Sequence, residues 1–350
     1  MRQRVYQNKL TIQRVWLASL TPLYRNTNLE GVNRMYINTT QHFGRYQQLM
    51  ENLKPNRHIS VNLPGNLFYI LKMIRTFFFT ILLTFSFAAM HAQSLKVMSY
   101  NIRLDHPVDG VNQWPKRSDK VYALIKKYSP DILGVQEALH HQLQDLLSNL
   151  PEYTFVGVGR DDGKTKGEYS AILFKKERFA IKQQSTFWLS ETPEIAGSKS
   201  WDAAITRVAS WAILHDLSTK KDLVIVNTHF DHIGKVAREK SALLIKEKIS
   251  SLRKNLPVIL TGDFNSEPTD ASYQAMADGQ VLKLLNSRPP SDTQGTFCNF
   301  AVTTEPCKVI DYIFYTEGFI PQNYQVITDH DGHHYPSDHL PVWCEFWWKK

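Results

Sequence analysis

From Leu95 onward, short apolar runs alternate with amphipathic stretches, and the periods of the two predict the elements. "LKVMSYNI" reads as a strand. In "WPKRSDKVYALIKKYS", Val121, Leu124, Ile125 and Tyr128 recur at helical spacing, so a helix is predicted over 114–129. "DILGVQE" is a continuous apolar run that predicts a buried strand, and "HHQLQDLLSNL" a helix ended by Pro151. "YTFVGVGR", "EYSAILFKK" and "FAIKQQSTFWL" read as strands, with a turn at "DDGKTKG". "ITRVASWAILHDL" and "KDLVIVNTHF" predict a hairpin around "STKK". "VAREKSALLIKEKISSL" carries an amphipathic helical stripe, "PVILTGDFN" is another buried strand, and "KVIDYIFY", "QNYQVIT" and "PVWCEFWW" close the chain as strands. Helices and strands interleave with meander-like stretches between them. The expected fold is α/β, two mixed sheets packed face to face with helices outside, in one domain over 94–350 that no Gly/Ser- or Pro-rich linker interrupts.

Before Leu95 the pattern is different. "MIRTFFFTILLTFSFAAMHAQS" begins at Met73 with one positive charge at Arg75, continues as an apolar run over 77–89 and reaches Ala92. This is the layout of a secretory signal peptide over 73–93. The apolar run is shorter than the roughly 20 residues of a spanning helix, so no stable span is expected after cleavage. An uncleaved anchor is the alternative. Residues 1–72 show no sustained period and are expected not to belong to the mature protein, being either an over-extended start or a disordered basic arm. A secreted or periplasmic monomer is expected.

Charge changes the picture in one respect. The formal net charge of +8 invites a nucleic-acid reading. Yet residues 1–72 hold ten Lys/Arg against two acids, Arg75 adds one more, and the chain from residue 76 on is at −1. The basic balance belongs to the N-terminus. Of the three cysteines, Cys298 and Cys307 stand nine apart across a predicted hairpin. A disulfide there and three free thiols both remain open.

The candidate chemistry lies where the apolar strands end. Asn101, Glu137, His229, and Asp263 with Asn265 each close a strand; Asp311 lies in "VIDYIF", and Asp338 and His339 are expected to open the last strand in "SDHLPV". A carboxylate on a core strand is costly unless paired or metal-bound. Six such places at strand ends, where loops converge, point to a site. Asn and several carboxylates are hard oxygen ligands suited to Mg²⁺, Mn²⁺ or Ca²⁺, and histidines carry protons near neutral pH. Those parts suit hydrolysis of a phosphoester.

"SYNIR", "VQE", "NTHFDH", "GDFNSEP", "IDYIF" and "SDHLPV", in this order, resemble the endonuclease/exonuclease/phosphatase superfamily over about residues 95–350. The resemblance implies a four-layer α/β sandwich and a metal-dependent phosphoester hydrolase. It implies that Glu137 is the main metal ligand with Asn101 beside it, and that Asp338 is a further metal-site carboxylate. Asp263 and Asn265 would orient water and hold a phosphate oxygen. His339 would be the catalytic histidine with Asp311 orienting it, and His229 a second histidine donating to the phosphate or leaving group. Whether Asp263 or His339 is the base stays open.

Around these, Arg207 on a predicted strand is a candidate phosphate clamp, with a surface salt bridge as the alternative. Tyr169, His232 and Trp201 are candidate substrate contacts. Trp114 is a candidate wall, Asp231 a rim residue or helix cap, and His140 and His141 are expected to be solvated. The His330–His334 loop is expected at the mouth of the pocket, where it would bear on substrate choice. A near-neutral domain favours a small phosphoester, such as a lipid-headgroup or sugar phosphate, over nucleic acid. A secreted nuclease and a catalytically silent binding protein are the other readings. A serine esterase is excluded by the lack of a GxSxG elbow.

Overall fold

The computed structural model describes Met73, residues 94–302 and residues 306–349. The chain divides into two units, Met1–Phe79 and Thr80–Lys350, and every element below belongs to the second. The expected leader and the arm before it lie outside the described residues, Met73 excepted. Among the described residues no helix is long and apolar enough to cross a membrane.

The strands are β1 (Ser94–Asn101), β2 (Ile132–Ala138), β3 (Tyr153–Val156), β4 (Tyr169–Lys175), β5 (Phe179–Trp188), β6 (Val208–Asp216), β7 (Lys221–His229), β8 (Val258–Asp263), β9 (Leu285–Asn286), β10 (Asp311–Tyr315), β11 (Phe319–Val326) and β12 (Val342–Trp348). The helices are α1 (Trp114–Tyr128), α2 (His140–Asn149), α3 (Lys235–Leu252) and α4 (Ala271–Ala277). The first sheet runs β11-β12-β1-β2-β4-β3 and the second β5-β6-β7-β8-β10-β9. Each sheet holds one parallel pair, β1–β2 and β7–β8. Each pair is joined by a helix, α1 and α3 respectively, because parallel neighbours need a crossover.

Three apolar layers hold the four structural layers together. Met98 and Tyr100 of β1 pack with Val121, Ile125, Leu143 and Leu146 of α1 and α2. Leu95, Val97 and Ile132 of the first sheet meet Leu223, Ile225, Ile259 and Ile313 of the second. Val224, Val226, Val258 and Leu260 pack on Ala242, Ile245 and Ile249 of α3 and Met276 of α4. Both faces of the central strands are covered, which is why these strands read as continuous apolar runs.

The period of two along each strand then decides where the polar ends point. On β1, Leu95 and Val97 face the other sheet, so Asn101 does too. On β7, Leu223 and Ile225 face inward, and His229 follows in phase. On β8, Ile259 carries the phase to Asp263; on β10, Ile313 and Tyr315 carry it back to Asp311. Glu137 is out of phase: Val135 and Ala138 on either side pack toward the helices. A bulge between Val135 and Ala138, with Glu137 at φ 64°, turns its carboxylate back to the inner side.

Beneath these ends the sheets are pinned by polar groups. Gln136 Nε2 donates to Asn227 Oδ1 (2.6 Å), and Asn227 Nδ2 donates to the carbonyls of Val135 (2.9 Å) and Ala171 (2.8 Å). The approach is close enough that a Cβ at Gly134 would stand 2.1 Å from Thr261 Oγ1.

The structure corrects some expected boundaries. The strand expected at "YTFVGVGR" ends at Val156, and α4 lies in a segment for which no element is expected from sequence. Asp338 and His339 precede the last strand, which starts at Val342 after Pro341. Pro341 has no N–H to give a ladder. Their segment pairs instead with 296–299: the Asp338 carbonyl accepts from the N–H groups of Cys298 (2.9 Å) and Asn299 (3.1 Å). Arg207 lies one residue before β6 and not on it. Cys298 and Cys307 are disulfide-bonded, with Cα atoms 4.9 Å apart, and Cys344 is buried and free.

Candidate active site

Asn101 is where the inner-face residues meet. Its Nδ2 lies 3.0 Å from Glu137 Oε1, 3.0 Å from Asp263 Oδ2 and 3.4 Å from His339 Nε2, while its Oδ1 accepts from the Arg103 amide (2.9 Å). An amide has two N–H donors, so it can serve one carboxylate from each sheet. Asp263 Oδ1 accepts from the Asn265 amide (2.9 Å); its Oδ2 is 3.3 Å from His229 Nε2 and 3.6 Å from His339 Nε2. Asn265 Nδ2 reaches His229 Nε2 and the Phe230 carbonyl, each at 3.1 Å. His339 Nδ1 is 2.9 Å from Asp311 Oδ2.

Burial and charge set the protonation of this group. Burial pushes the Asp263 carboxyl up to about 7, against the opposing pull of His339. Burial works against a charged His339, but Asp311 and Asp263 outweigh it and hold the imidazole protonated well above its usual range. For His229, burial and then the cations of Arg207 and Arg160 keep the ring neutral. Burial would raise Glu137, yet His339, Asn101 and Arg103 outweigh it and keep the carboxylate ionised. Burial raises Asp338, and His339 opposes it.

Glu137, His229, Asp263, Asn265, Asp338 and His339 line the floor of a cavity of roughly 880 Å³. On one wall, Arg207 is almost fully buried, and neither its Nε nor its Nη1 has a hydrogen-bond partner among the described residues. Glu168 Oε2 is 3.9 Å from Arg207 Nη1 and 3.9 Å from His229 Nδ1, and the Glu168 carboxylate is gripped by Arg160 at 2.6 Å and 2.7 Å. On the other wall, Asp109 holds Arg103 through two hydrogen bonds (3.0 Å and 2.9 Å). Arg103 stands 3.7 Å from Glu137 and 3.9 Å from Asp338. Arg103, Glu137 and Asn265 all have positive φ, 56°, 64° and 44°. Strained backbone of this kind is tolerated where the surroundings impose it, commonly at functional sites.

Of the residues expected from sequence, Glu137, His229, Asp263, Asn265, Asp338, His339, Arg207 and His232 line this cavity. Asn101 and Asp311 stand behind them, hydrogen-bonded to them. The other candidates do not. The Tyr169 hydroxyl is 2.8 Å from the Lys164 carbonyl and 3.0 Å from His140 Nδ1, away from the floor. His140 is accordingly half-buried, while His141 is exposed as expected. Trp201 is outside the lining, and Trp114 is core, its Nε1 donating to Asp145 (2.8 Å). Asp231 does not cap α3. Asp202 accepts from Val236 and Ala237 there, while Asp231 closes the preceding turn. The His330–His334 loop is not at the mouth of the cavity. Asp331 is held by Lys120, and Asp329 by Lys127 (2.6 Å), against α1. Sequence reasoning missed Arg103, Glu168 and Arg160. The first stood in plain view in "SYNIR"; Arg160 ends and Glu168 begins runs read as strands, on either side of the turn between them.

The donor set fits a divalent cation. Glu137 and Asp338 are buried carboxylates whose nearest cation, Arg103, is beyond hydrogen-bond distance and already engaged by Asp109. Among the described residues Glu137, Asp263 and His339 have ligand atoms within 4.8 Å of one another. Hard divalent cations favour oxygen donors, so the carboxylates around Glu137 suit the ion better than the imidazole.

A layered sandwich with carboxylates, histidines and arginines converging at one edge between its sheets defines a phosphoester hydrolase. The chain belongs to the Endonuclease/Exonuclease/phosphatase family, whose model matches residues 98–339. Enzymes of this family are generally dependent on divalent metal. A family member of Bacteroides vulgatus is 37% identical, with a TM-score of 0.70, covering 73% of this chain and 99% of that one. A mannosyl-6-phosphatase of Bacteroides thetaiotaomicron is 40% identical, with a TM-score of 0.68 and coverage of 72% and 99%. Nocturnin of Xenopus laevis is 24% identical over 300 residues, 74% of each chain, whereas the match spans 60% of Nocturnin from Mus musculus.

Proposed function

We propose that the protein is an exported, divalent-metal-dependent phosphatase acting on a small phosphomonoester of the sugar-phosphate kind. The observation that carries this reading is the cavity. Its floor offers Asp263 and His339 side by side, and the rest of its lining mixes cations (Lys235, Arg238, Lys308) with acids (Asp109, Glu267, Asp270). A mixed lining suits a small polar molecule better than a track of phosphates, which is held chiefly by cations. The resemblance to a mannosyl-6-phosphatase supports the same class.

In this reading Glu137, with Asn101 and Asp338, would hold Mg²⁺ or Mn²⁺, which would supply positive charge against the phosphate and polarisation of its oxygens. Asp263, with a proton affinity near neutrality, takes the proton from the attacking water, which Asn265 orients. His339, held protonated by Asp311, donates to a phosphoryl oxygen or the leaving group. Arg207 turns its unsatisfied N–H groups to the phosphate, with His229 neutral beside it.

Export rests on the apolar run at 77–89 and is supported by the Cys298–Cys307 disulfide, a bond typical of oxidising compartments. N-terminal sequencing of the protein from its host tests it, and a peptide from within 1–72 rules it out.

A panel of sugar phosphates, a phosphodiester, RNA and plasmid DNA, each with Mg²⁺ and with chelator, tests the substrate. Release of inorganic phosphate from a sugar phosphate as the fastest reaction supports the proposal. Faster cleavage of RNA or DNA favours a nuclease, and binding without turnover of any of them favours a silent binding protein.

A further inference from the structure

Arg117, on α1, is almost wholly buried, and no carboxylate lies within ion-pair distance of it among the described residues. Its guanidinium is spent on four main-chain carbonyls. Nε donates to Asn112 O (2.6 Å), Nη1 to Ile102 O (2.5 Å) and Pro336 O (3.1 Å), and Nη2 to Arg103 O (2.7 Å). Its Cζ stands over the Trp114 ring, 5.2 Å from the centroid, and over the Phe300 ring, at 5.5 Å. A buried cation without an anion is expensive, and a core helix has many cheaper residues to offer. What this one does is join two nearby segments, the exit of β1 and the turn at Asn112, to the stretch before Asp338, whose Pro336 is 219 residues further along the chain. Two of the three deliver site residues. Ile102 and Arg103 follow Asn101, and Pro336 stands two residues before Asp338 and three before His339. Ser337 Oγ adds a second tie between the same two segments through Asn101 O (2.7 Å).

We infer that Arg117 is a positioning residue: its planar fork fixes the β1 exit against the Pro336 turn and thereby sets the spacing of Asn101 and Arg103 from Asp338 and His339. Lysine cannot replace it, because an ammonium radiates its donors from one point and cannot reach carbonyls on three segments in one plane. The inference rests on the hydrolytic reading of the site for its effect on rate, though not for its effect on geometry.

The test compares wild type with Arg117→Lys in the full chain, by amide exchange and by kinetics on whichever phosphomonoester the wild type hydrolyses. Exchange is expected to rise at least about tenfold at 101–104 and 337–340 and to stay unchanged at 228–230 and 263–265. The turnover number should fall by roughly 10- to 100-fold well below the melting temperature. If Arg117→Lys does not fold, Phe300→Leu removes one stacking face, leaves the four hydrogen bonds, and should give the same local pattern in weaker form. Unchanged exchange at both segments, loss of protection spread evenly over both sheets, or a shifted melting temperature with unchanged turnover would overturn the inference. If the wild type turns over no phosphoester, the hydrolase reading fails while the exchange experiment still judges Arg117.

Discussion

His339 Nδ1 and Asp311 Oδ2 lie 2.9 Å apart, and the contact passes from one sheet to the other. Asp311 begins β10 in the second sheet, and His339 sits in the segment entering β12 in the first. Asn101 makes the same crossing when it reaches Asp263. The site is therefore a property of the two sheets together, and the polar pin around Asn227 and Gln136, just below it, fixes how closely they approach.

The pairing predicts that Asp311→Asn lowers the turnover number by about 10²–10⁴, the range of a positioned proton carrier. An amide keeps the shape but no longer holds the ring protonated. His339→Ala should lose a similar factor, and the double variant little more, because the two act as one unit. Steady-state rates of the three variants, with circular dichroism to confirm the fold, check this. Additive losses would show that the residues act separately.

Asp263 sets the acid side of the pH profile. A base must be ionised, and this carboxyl loses its proton at about 7 in the metal-free site, so with the cation bound activity should rise at or below that pH. His339 must be protonated and its affinity is raised, so the fall should come on the alkaline side, well above 6.5. Stability carries the opposite sign for Asp263. The unfolded carboxyl ionises near its model value of 3.8 and the folded one near 7, so this group favours unfolding increasingly between those values. Asp263→Asn should therefore abolish turnover and raise the melting temperature at pH 8, measured in chelator. A variant less stable than wild type at pH 8 would contradict the burial argument.

Much of this arrangement was legible because it follows from the period of two. Once Leu95, Val97, Leu223, Ile225 and Ile259 are assigned to the space between the sheets, Asn101, His229 and Asp263 must point there as well. Glu137 was found by its motif and not by its phase; only the bulge brings it inward. Arg103, Glu168 and Arg160 escaped because their meaning lies in partners distant in sequence, and a lone charge beside a turn reads as solvated. The His330–His334 loop was misplaced for the converse reason. Composition suggested chemistry, whereas two lysines on α1 hold the loop away from the site.

Chelation should abolish turnover, and added Mg²⁺ or Mn²⁺ should restore it. Glu137→Gln should raise the metal concentration for half-maximal activity by at least about tenfold, since the change removes a charged oxygen donor while the Asn101 contact persists. Isothermal titration with Mg²⁺ gives a readout free of catalysis. Equal affinity in variant and wild type would move the ion away from Glu137.

Gly134→Ala should destabilise the fold by about 1–3 kcal/mol, the range for overpacking a close-packed core. The added Cβ would meet Thr261 Oγ1 at 2.1 Å and Asn227 Oδ1 at 2.6 Å, and the sheets would have to part at the pin. Because the separation sets the Asn101–Asp263 distance, activity should fall along with the denaturation midpoint. A variant with wild-type midpoint and rate would show that the pin is slack.

Asp231 offers a test of stability apart from the metal site. Burial alone would raise its carboxyl, but the amides of Gly234 (2.7 Å), Ile205 (3.1 Å) and Ile233 (2.9 Å) donate to it and bring it down to about 2. A depressed carboxyl contributes stability that is present above its unfolded value of 3.8 and lost as pH falls through the folded one. Asp231→Asn should therefore cost about 1–2 kcal/mol at pH 6, with the penalty shrinking steadily between pH 4 and pH 2. Urea midpoints of both proteins across that range measure it. A penalty that stays constant into acid would mean that the side chain acts here through its shape and not through its charge.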